Sequence, residues 1–471
     1  MNADIKIPFE RLDFALPIQR FRIEYSLVEK NSVPFVREFV LRLLLLTKMT
    51  LGELAAYMGF TPKEVRAATK LLFEANEIMI GEEGRIELTQ KAKTYFRHST
   101  DESPRIAQLS DRRDTFRFDL VSFGYVPKSV GSDDWRFAIK LEPDIENRSQ
   151  SALFARKAFQ RCFYKIYNDE NLSKYNVKGN EIPDIYKVSD VSPQGEDYVK
   201  LPQTLYLNTK TGAVDRSEIE HLEDQNDIIE KITDAITSSR QSENIHSVLT
   251  AMQDLGGEFL LDCFSSNGFD FPKFMLGVLN ERGSSMDAQR IFGSLLLSHN
   301  WDRVVGLFRK HTQSSRVKKD STPEMVTWLA PSSPFWGRAG KIQECISTIL
   351  GFSTESKSNQ KVFDFSLKLP LQGKEDWSAK KFQLEYKEFR SVLYGYVEGY
   401  YQGIVEMIIY PGRFAVVLFH VVPPISSVPI PLGYVTEDKT LVAKLDQSLK
   451  EYLFQPTGCE GNKDLGPIST R

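Results

Sequence analysis

Two copies of one four-residue pattern near the N-terminus place narrow limits on the local fold of this chain. Thr50-Leu-Gly-Glu53 and Thr61-Pro-Lys-Glu64 both fit the capping box, in which a threonine hydroxyl and a glutamate carboxylate each satisfy an otherwise unpaired backbone N–H at a helix start. Gly59 lies between them and can adopt positive φ after the first helix. The spacing therefore predicts a helix, a tight turn at Met58-Gly59-Phe60 and a second helix.

A further helix and a hairpin flank this pair. A helix over residues 34–47 is predicted because Pro34 lies in its first turn, where a missing N–H costs nothing. Its apolar residues wrap most of the way around, which predicts a central position. After the second capped helix, residues 77–88 form two short apolar segments around Glu82-Glu83-Gly84, a pattern that predicts a small hairpin.

This order of elements, followed by Leu88-Thr-Gln-Lys-Ala92, makes residues 33–97 similar to the winged helix-turn-helix superfamily, including its marR-type regulators. The resemblance implies that the helix beginning after Thr61 enters the DNA major groove. It also implies that the hairpin is a wing along the DNA backbone or minor groove. Double-stranded DNA is therefore the expected partner.

The resemblance implies which residues contact DNA, and helix geometry shows that three of them share one face. At about 100° per residue, Lys63, Arg66 and Lys70 fall on one face of this helix, where they can meet phosphates or base edges. Arg85 belongs to the wing and is the fourth expected DNA contact. The residues expected to face the core from the opposite side of the helix are Val65, Ala68 and Leu72.

Acidic residues in the same region work against DNA binding. Glu82 and Glu83 occupy the wing tip, where they would repel phosphate. Glu74 and Glu77 are expected to reduce the positive charge beside Lys63, Arg66 and Lys70. The alternative interpretation is therefore a protein-interaction module whose winged helix does not bind DNA.

Length and net charge limit the number of domains and the kind of nucleic-acid binding that the whole chain can have. A chain of 471 residues is long enough for two to four domains with separate cores. Its net charge of −3 excludes a uniformly basic nucleic-acid coat, so attraction to DNA must come from local patches.

The N-terminus lacks the apolar region of a signal peptide, and no apolar stretch approaches the roughly 20 residues of a membrane span. A cytoplasmic protein with no membrane partner is expected, and the four cysteines contain no CxxC pair that would suggest a zinc ribbon.

Periodicity along the chain predicts a mixed α/β multidomain protein. The predicted parts are the winged helix with its amphipathic lead-in over 1–98, a linker over 99–114, a mixed α/β region over 115–216, a helical region over 217–320 and a C-terminal α/β domain over 321–471. Within the last of these, the apolar run Phe414–Val422 is typical of a strand buried on both faces.

The most basic stretch offers a possible second phosphate-binding patch. Its residues are Arg309, Lys310, Arg316, Lys318 and Lys319. A solvated helix end explains the same stretch equally well, because cations are favoured at a helix C-terminus.

A weaker pattern supports a metal-dependent nuclease as another alternative. Asp364 lies on one predicted strand, and Glu385 and Lys387 lie on a second, as in sites that hold Mg²⁺ and activate water. No phosphate-binding loop, HExxH motif or GxSxG elbow is present. No catalytic residue, metal or cofactor is therefore predicted with the main interpretation.

The sequence thus favours a non-catalytic, DNA-binding subunit of a larger assembly. DNA processing, regulation or prokaryotic antiviral defence would each suit such an assembly, and further protein partners are expected because a simple repressor rarely needs so long a chain.

Overall fold

A computed structural model describes the chain over residues 6–32, 35–96, 105–131, 135–170, 172, 183–208, 212–219, 225–265, 268–280, 288–313, 323–354, 361–423, 426–457 and 461–468. These residues form a mixed α/β structure with several sheets, as the sequence predicts. No helix in this described part combines the length and apolarity needed to cross a bilayer.

The elements are numbered in chain order. The α-helices are α1 (Phe35–Leu46), α2 (Leu51–Met58), α3 (Pro62–Glu74), α4 (Gln90–Thr94), α5 (Ile145–Ser149), α6 (Ser151–Asp169), α7 (Gln225–Ser238), α8 (Ile245–Asp254), α9 (Phe271–Asn280), α10 (Ser298–Gln313), α11 (Lys341–Phe352), α12 (Ser378–Glu385) and α13 (Lys439–Leu453). The strands are β1 (Lys6–Ser32), β2 (Ile78–Ile80), β3 (Ile86–Leu88), β4 (Arg105–Asp119), β5 (Ile139–Lys140), β6 (Asp184–Asn208), β7 (Val214–Arg216), β8 (Phe264–Ser265), β9 (Gly268–Phe269), β10 (Ala288–Phe292), β11 (Glu324–Leu329), β12 (Phe363–Leu371), β13 (Leu393–Val397), β14 (Val405–Tyr410), β15 (Phe414–Val421), β16 (Ile430–Thr436) and β17 (Asp464–Pro467).

The chain forms two compact units that interleave along the sequence. One unit contains Ile18–Val130 and Asp144–Glu196, and the other contains Met1–Pro17, Gly131–Pro143 and Asp197–Arg471. This grouping differs from the linear series of domains expected from the sequence, because the long strands β1 and β6 contribute residues to both units.

The first unit contains a long antiparallel pair, β1 with β4, whose register runs from Ile18 opposite Asp119 to Ser32 opposite Arg105. The alternate residues Phe21, Ile23, Tyr25 and Leu27 of β1 belong to one buried core, in which the aromatic rings pack against α6. Tyr25 and Phe159, for example, have ring centroids 4.9 Å apart. The period of two explains why this segment is a strand.

One sequence-based prediction is wrong in this region. Residues 105–114 were expected to belong to a linker, but they form most of β4 and pair residue by residue with β1. The amphipathic lead-in, for which no secondary structure was predicted, contributes most of the 27-residue strand β1. The polar composition of residues 105–114 does not exclude strand pairing, because one face of an antiparallel sheet can be exposed to water. Residues 99–104 of the predicted linker lie outside the described residues.

The second unit contains an eight-stranded sheet in the order β10-β16-β15-β14-β11-β12-β13-β17. Strands β11, β12 and β13 are parallel to one another, and the other neighbours are antiparallel. Every residue of β15 is buried, which confirms the prediction of a strand covered on both faces. Helix α13 packs against β14 and β15.

The predicted helical region over 217–320 is only partly helical. Helices α7, α8, α9 and α10 lie within it, but residues 288–292 form β10 of the large sheet and pair with β16. The sequence from Asp287 to Leu297 was expected to be a helix because its apolar residues fit that spacing. A short apolar segment fits both periods, and here pairing to a strand far along the chain decides between them.

Candidate nucleic-acid interface

The local predictions around the two capping boxes are confirmed. Thr50 and Thr61 accept the N–H of Glu53 and Glu64 through their hydroxyls, at 3.2 and 3.3 Å. The two carboxylates accept the threonine N–H groups in return, both at 2.8 Å. These hydrogen bonds lower the pKa of both carboxyl groups, because they favour the charged form. Gly59 follows α2 with a φ of 67°.

Helix α3 buries one face against α1, α2 and the β2–β3 hairpin. Val65, Thr69 and Leu72 are its buried residues. The prediction of Ala68 in the core is corrected, because Ala68 is only half-buried and Thr69 takes the central position. The hydroxyl of Thr69 donates to the carbonyl of Val65 at 2.8 Å, so its polar group is satisfied without leaving the core.

The opposite side of α3 carries Lys63, Arg66 and Lys70, and all three are exposed. We call these three residues the basic face. Arg66 Nε donates to the carbonyl of Pro62 at 2.9 Å, and Lys70 Nζ lies 3.8 Å from a carboxylate oxygen of Glu74. Within the described part of the chain, neither Lys63 nor Arg66 forms an ion pair. The structure therefore brings the three predicted cations together on one solvent-facing surface.

Arg85 of the hairpin contacts residues that do not belong to the basic face. Its Nη1 donates to the carbonyl of Lys48 at 3.2 Å, and its Nε lies 4.0 Å from Glu83. Glu82 and Glu83 are exposed at the hairpin tip, where Glu83 has a φ of 59°. The expected acidic tip is present, and it partly compensates the charge of Arg85.

Glu77 does not dilute the basic face, and that expectation is corrected. Its side chain is 1% exposed and accepts from Arg37 through both carboxylate oxygens. Tyr95 donates to the same carboxylate at 3.1 Å. Burial together with this carboxylate raises the pKa of Tyr95 to about 12. Glu77 thus ties α1 to the segment after α4 rather than facing solvent.

An exposed apolar stripe on α1 and α2 was missed by the sequence analysis. Val36, Phe39 and Leu46 are exposed at 39%, 38% and 81%, and Tyr57 of α2 stacks on Phe39 with centroids 6.5 Å apart. A helix whose apolar residues extend all round was expected to be central. The sequence did carry this signal, because a helix with apolar residues on most sides leaves some of them outside the core against which it packs.

The second basic patch is only partly within the described residues. Arg309 is exposed on α10, whereas Lys310 Nζ lies 2.7 Å from Glu437, and His311 Nε2 contacts the same carboxylate at 2.6 Å. These partners lower the pKa of Glu437 against the effect of its partial burial. Lys310 is therefore compensated, and Arg316, Lys318 and Lys319 lie outside the described residues.

The residues proposed for a nuclease site do not occupy two neighbouring strands. Asp364 lies on β12 and pairs with Lys361. Glu385 ends α12 and accepts from Arg338 Nη1 at 2.9 Å, and Lys387 lies in the 3₁₀ turn that follows. The strand predicted around Glu385 is wrong because its apolar residues pack as a helical turn. In the described ranges, no group of three or more His, Cys, Asp or Glu side chains is arranged to hold a metal ion.

Comparison with known proteins finds no match for this chain among family models, curated proteins or solved structures.

Proposed function

We propose that this chain is a DNA-binding subunit of a larger assembly and that α3 acts as the recognition helix of a winged helix. The observation that carries the proposal is the basic face. Lys63, Arg66 and Lys70 share one exposed side of a helix that is capped at its N-terminus and anchored by a buried opposite side.

The dimensions of the basic face suit a duplex. Seven residues of α-helix advance about 10 Å, so Lys63 and Lys70 are separated by a distance comparable to the width of the major groove. The exposed ammonium and guanidinium groups remain hydrated in the free protein. When they bind DNA phosphates, they release the counterions condensed on the DNA, which favours binding. Leu71, which is 66% exposed beside the basic face, supplies an apolar group for contact with a base edge or a thymine methyl.

Charge reversal tests the proposal. A fluorescence-anisotropy titration of labelled duplex DNA is expected to give an affinity that falls as salt rises, and Lys63→Glu, Arg66→Glu and Lys70→Glu combined are expected to abolish binding. The matched control reverses Lys374, Lys439 and Lys444, which are exposed elsewhere and give the same change in net charge. Absence of binding by the parent at low salt contradicts the proposal. Equal loss in the control variant also contradicts it.

The apolar stripe favours a second candidate, a protein-interaction module. Exposed Leu46 and Tyr57 side chains cost solvation free energy that burial against a partner would recover. Affinity isolation from the native host should then yield partner proteins that Leu46→Ser with Tyr57→Ser removes and the charge-reversal variant retains. This result without any DNA binding would leave the module as a scaffold.

A further inference from the structure

One face of the large sheet carries a row of polar side chains where β11, β12, β13 and β17 lie side by side. Alternate residues of β12, such as Phe365 and Leu367, belong to the hydrophobic core on one side. Ser366 and Lys368 therefore fall on the other side, because successive side chains of a strand alternate between faces. Lys368 is opposite Tyr394 in the strand register.

These polar groups are held in place by one another. Lys368 Nζ donates to both carboxylate oxygens of Asp464 at 2.9 Å and lies 5.3 Å from the centre of the Tyr394 ring. The hydroxyls of Thr327 and Ser366 are 3.2 Å apart. Ser366 is 2% and Lys368 6% exposed. A lysine and a serine buried on a sheet face are costly unless paired, so the row is a fixed array of donors and acceptors.

A cleft of about 390 Å³ opens above this row. Its apolar rim comes from the C-terminal end of α13 and from the start of β11, and consists of Met325, Leu449, Leu453 and Phe454. Phe454 is 64% and Met325 42% exposed, so both present apolar surface to solvent. The cleft is within the size range of about 300–1,000 Å³ usual for small-molecule sites, and it combines an apolar wall with a few fixed polar groups.

The charges that line the cleft select against an anion. Lys368 is compensated by Asp464, and Lys450 is compensated by Asp446 at 2.6 Å. Glu324 adds a further carboxylate to the lining. The charged residues described in the cleft lining therefore leave no surplus positive charge for a phosphate. The hydroxyls and the ion pair can instead bind a neutral polar edge.

We propose that this cleft binds an uncharged nitrogen heterocycle of nucleobase or nucleoside size. The ring lies against Phe454 and Met325, and its polar edge meets the hydroxyls of Thr327 and Ser366 beside the Lys368–Asp464 pair. The flat apolar rim and the mixed donors and acceptors of the floor are complementary to the two parts of such a molecule. This binding site is independent of the DNA-binding proposal, since it uses none of the residues of the basic face.

Calorimetric titration of the full chain with adenosine, guanosine, cytidine and uridine tests the proposal. At least one nucleoside is expected to bind saturably in the micromolar to millimolar range, and its 5′-monophosphate is expected to bind more weakly because of the lining carboxylates. Phe454→Ser should raise Kd by about tenfold or more through loss of ring contact. Thr327→Val, which keeps the side-chain shape, should raise Kd by removing one hydrogen bond.

The matched control is Leu384→Ser, which removes an exposed apolar side chain from α12, outside the cleft lining, and should leave Kd unchanged. Circular dichroism and the melting temperature establish that each variant folds. The proposal is overturned if no nucleoside saturates at millimolar concentration, if the monophosphate binds more tightly than the nucleoside, or if both cleft variants bind as the parent does.

Discussion

His420 Nε2 lies 3.0 Å from Oε2 of Glu406, and both side chains are buried, at 5% and 2% exposure. The other oxygen of this carboxylate accepts the indole N–H groups of Trp328 and Trp336, both at 2.9 Å. One buried carboxylate thus accepts two indole N–H groups and contacts one imidazole nitrogen within the large sheet. Sequence reasoning assigned no role to Glu406, because its partners come from separate elements of the fold.

Glu406→Ala should lower the free energy of unfolding by about 3–5 kcal/mol, since it leaves two indoles and an imidazole without their acceptor in the core. Glu406→Gln keeps one carbonyl oxygen and should cost less. Urea titration followed by tryptophan fluorescence measures both effects, and the emission of Trp328 and Trp336 reports on the site directly. Glu398→Ala, at an exposed position, should stay within about 0.5 kcal/mol of the parent. An equally small effect of Glu406→Ala would show that the network contributes nothing to stability.

Glu10 predicts a dependence of stability on pH. Burial raises its pKa from 4.5 to about 8, with the charge of Glu406 adding to the effect. Between pH 4.5 and 8, Glu10 is therefore protonated in the folded state and ionised in the unfolded state. The stability that Glu10 contributes is complete below pH 4.5 and is lost as the pH rises toward 8. The expected slope is on the order of 1 kcal/mol per pH unit.

Glu10→Gln removes this titration and preserves the shape of the protonated side chain. The variant should match the parent near pH 4.5 and become progressively more stable than the parent up to pH 8. Chemical unfolding at a series of pH values measures the difference between the two proteins, in which contributions from other groups cancel. A constant difference across the range would mean that Glu10 is ionised in the folded protein.

The buried ion pair between Arg37 and Glu77 is expected to stabilise the N-terminal helices. Arg37→Ala leaves a buried carboxylate with Tyr95 as its remaining hydrogen-bond donor, so it should cost about 2 kcal/mol or more. Hydrogen exchange of the amides over 35–96 localises the loss. Lys70→Ala on α3 is the control, since it breaks an exposed i,i+4 pair with Glu74 that is worth about 0.5 kcal/mol or less. Equal effects of the two substitutions would refute a special role for the buried pair.

The capping box of α3 predicts a smaller, local effect. Thr61→Ala should destabilise α3 by about 1 kcal/mol, whereas Thr61→Asn should retain most of the cap because asparagine also accepts at this position. Amide exchange at residues 63–66 provides the measurement, since Pro62 has no amide hydrogen. Thr94→Ala removes an exposed hydroxyl that bonds only one helical carbonyl and should change little. Faster exchange in the asparagine variant than in the alanine variant would disprove the capping argument.

Features that depend on a few neighbouring residues were determined by the sequence itself. The capping boxes at Thr50 and Thr61 join residues three apart, and the turn at Gly59 depends on the freedom of one residue to adopt positive φ. The exposure of Lys63, Arg66 and Lys70 likewise follows from the 3.6-residue period of the helix. Local geometry and chemistry alone were sufficient for these predictions.

Only the tertiary structure decided what depends on distant partners. Residues 105–114 are a strand because β1 pairs with them, and residues 288–292 are a strand because β16 does. Glu77 is buried because Arg37 neutralises it forty residues away in sequence. The cleft around Lys368 requires a carboxylate from Asp464, ninety-six residues further along. Pairing and burial of this kind depend on which segments meet in space, and a single sequence carries no local signal for that meeting.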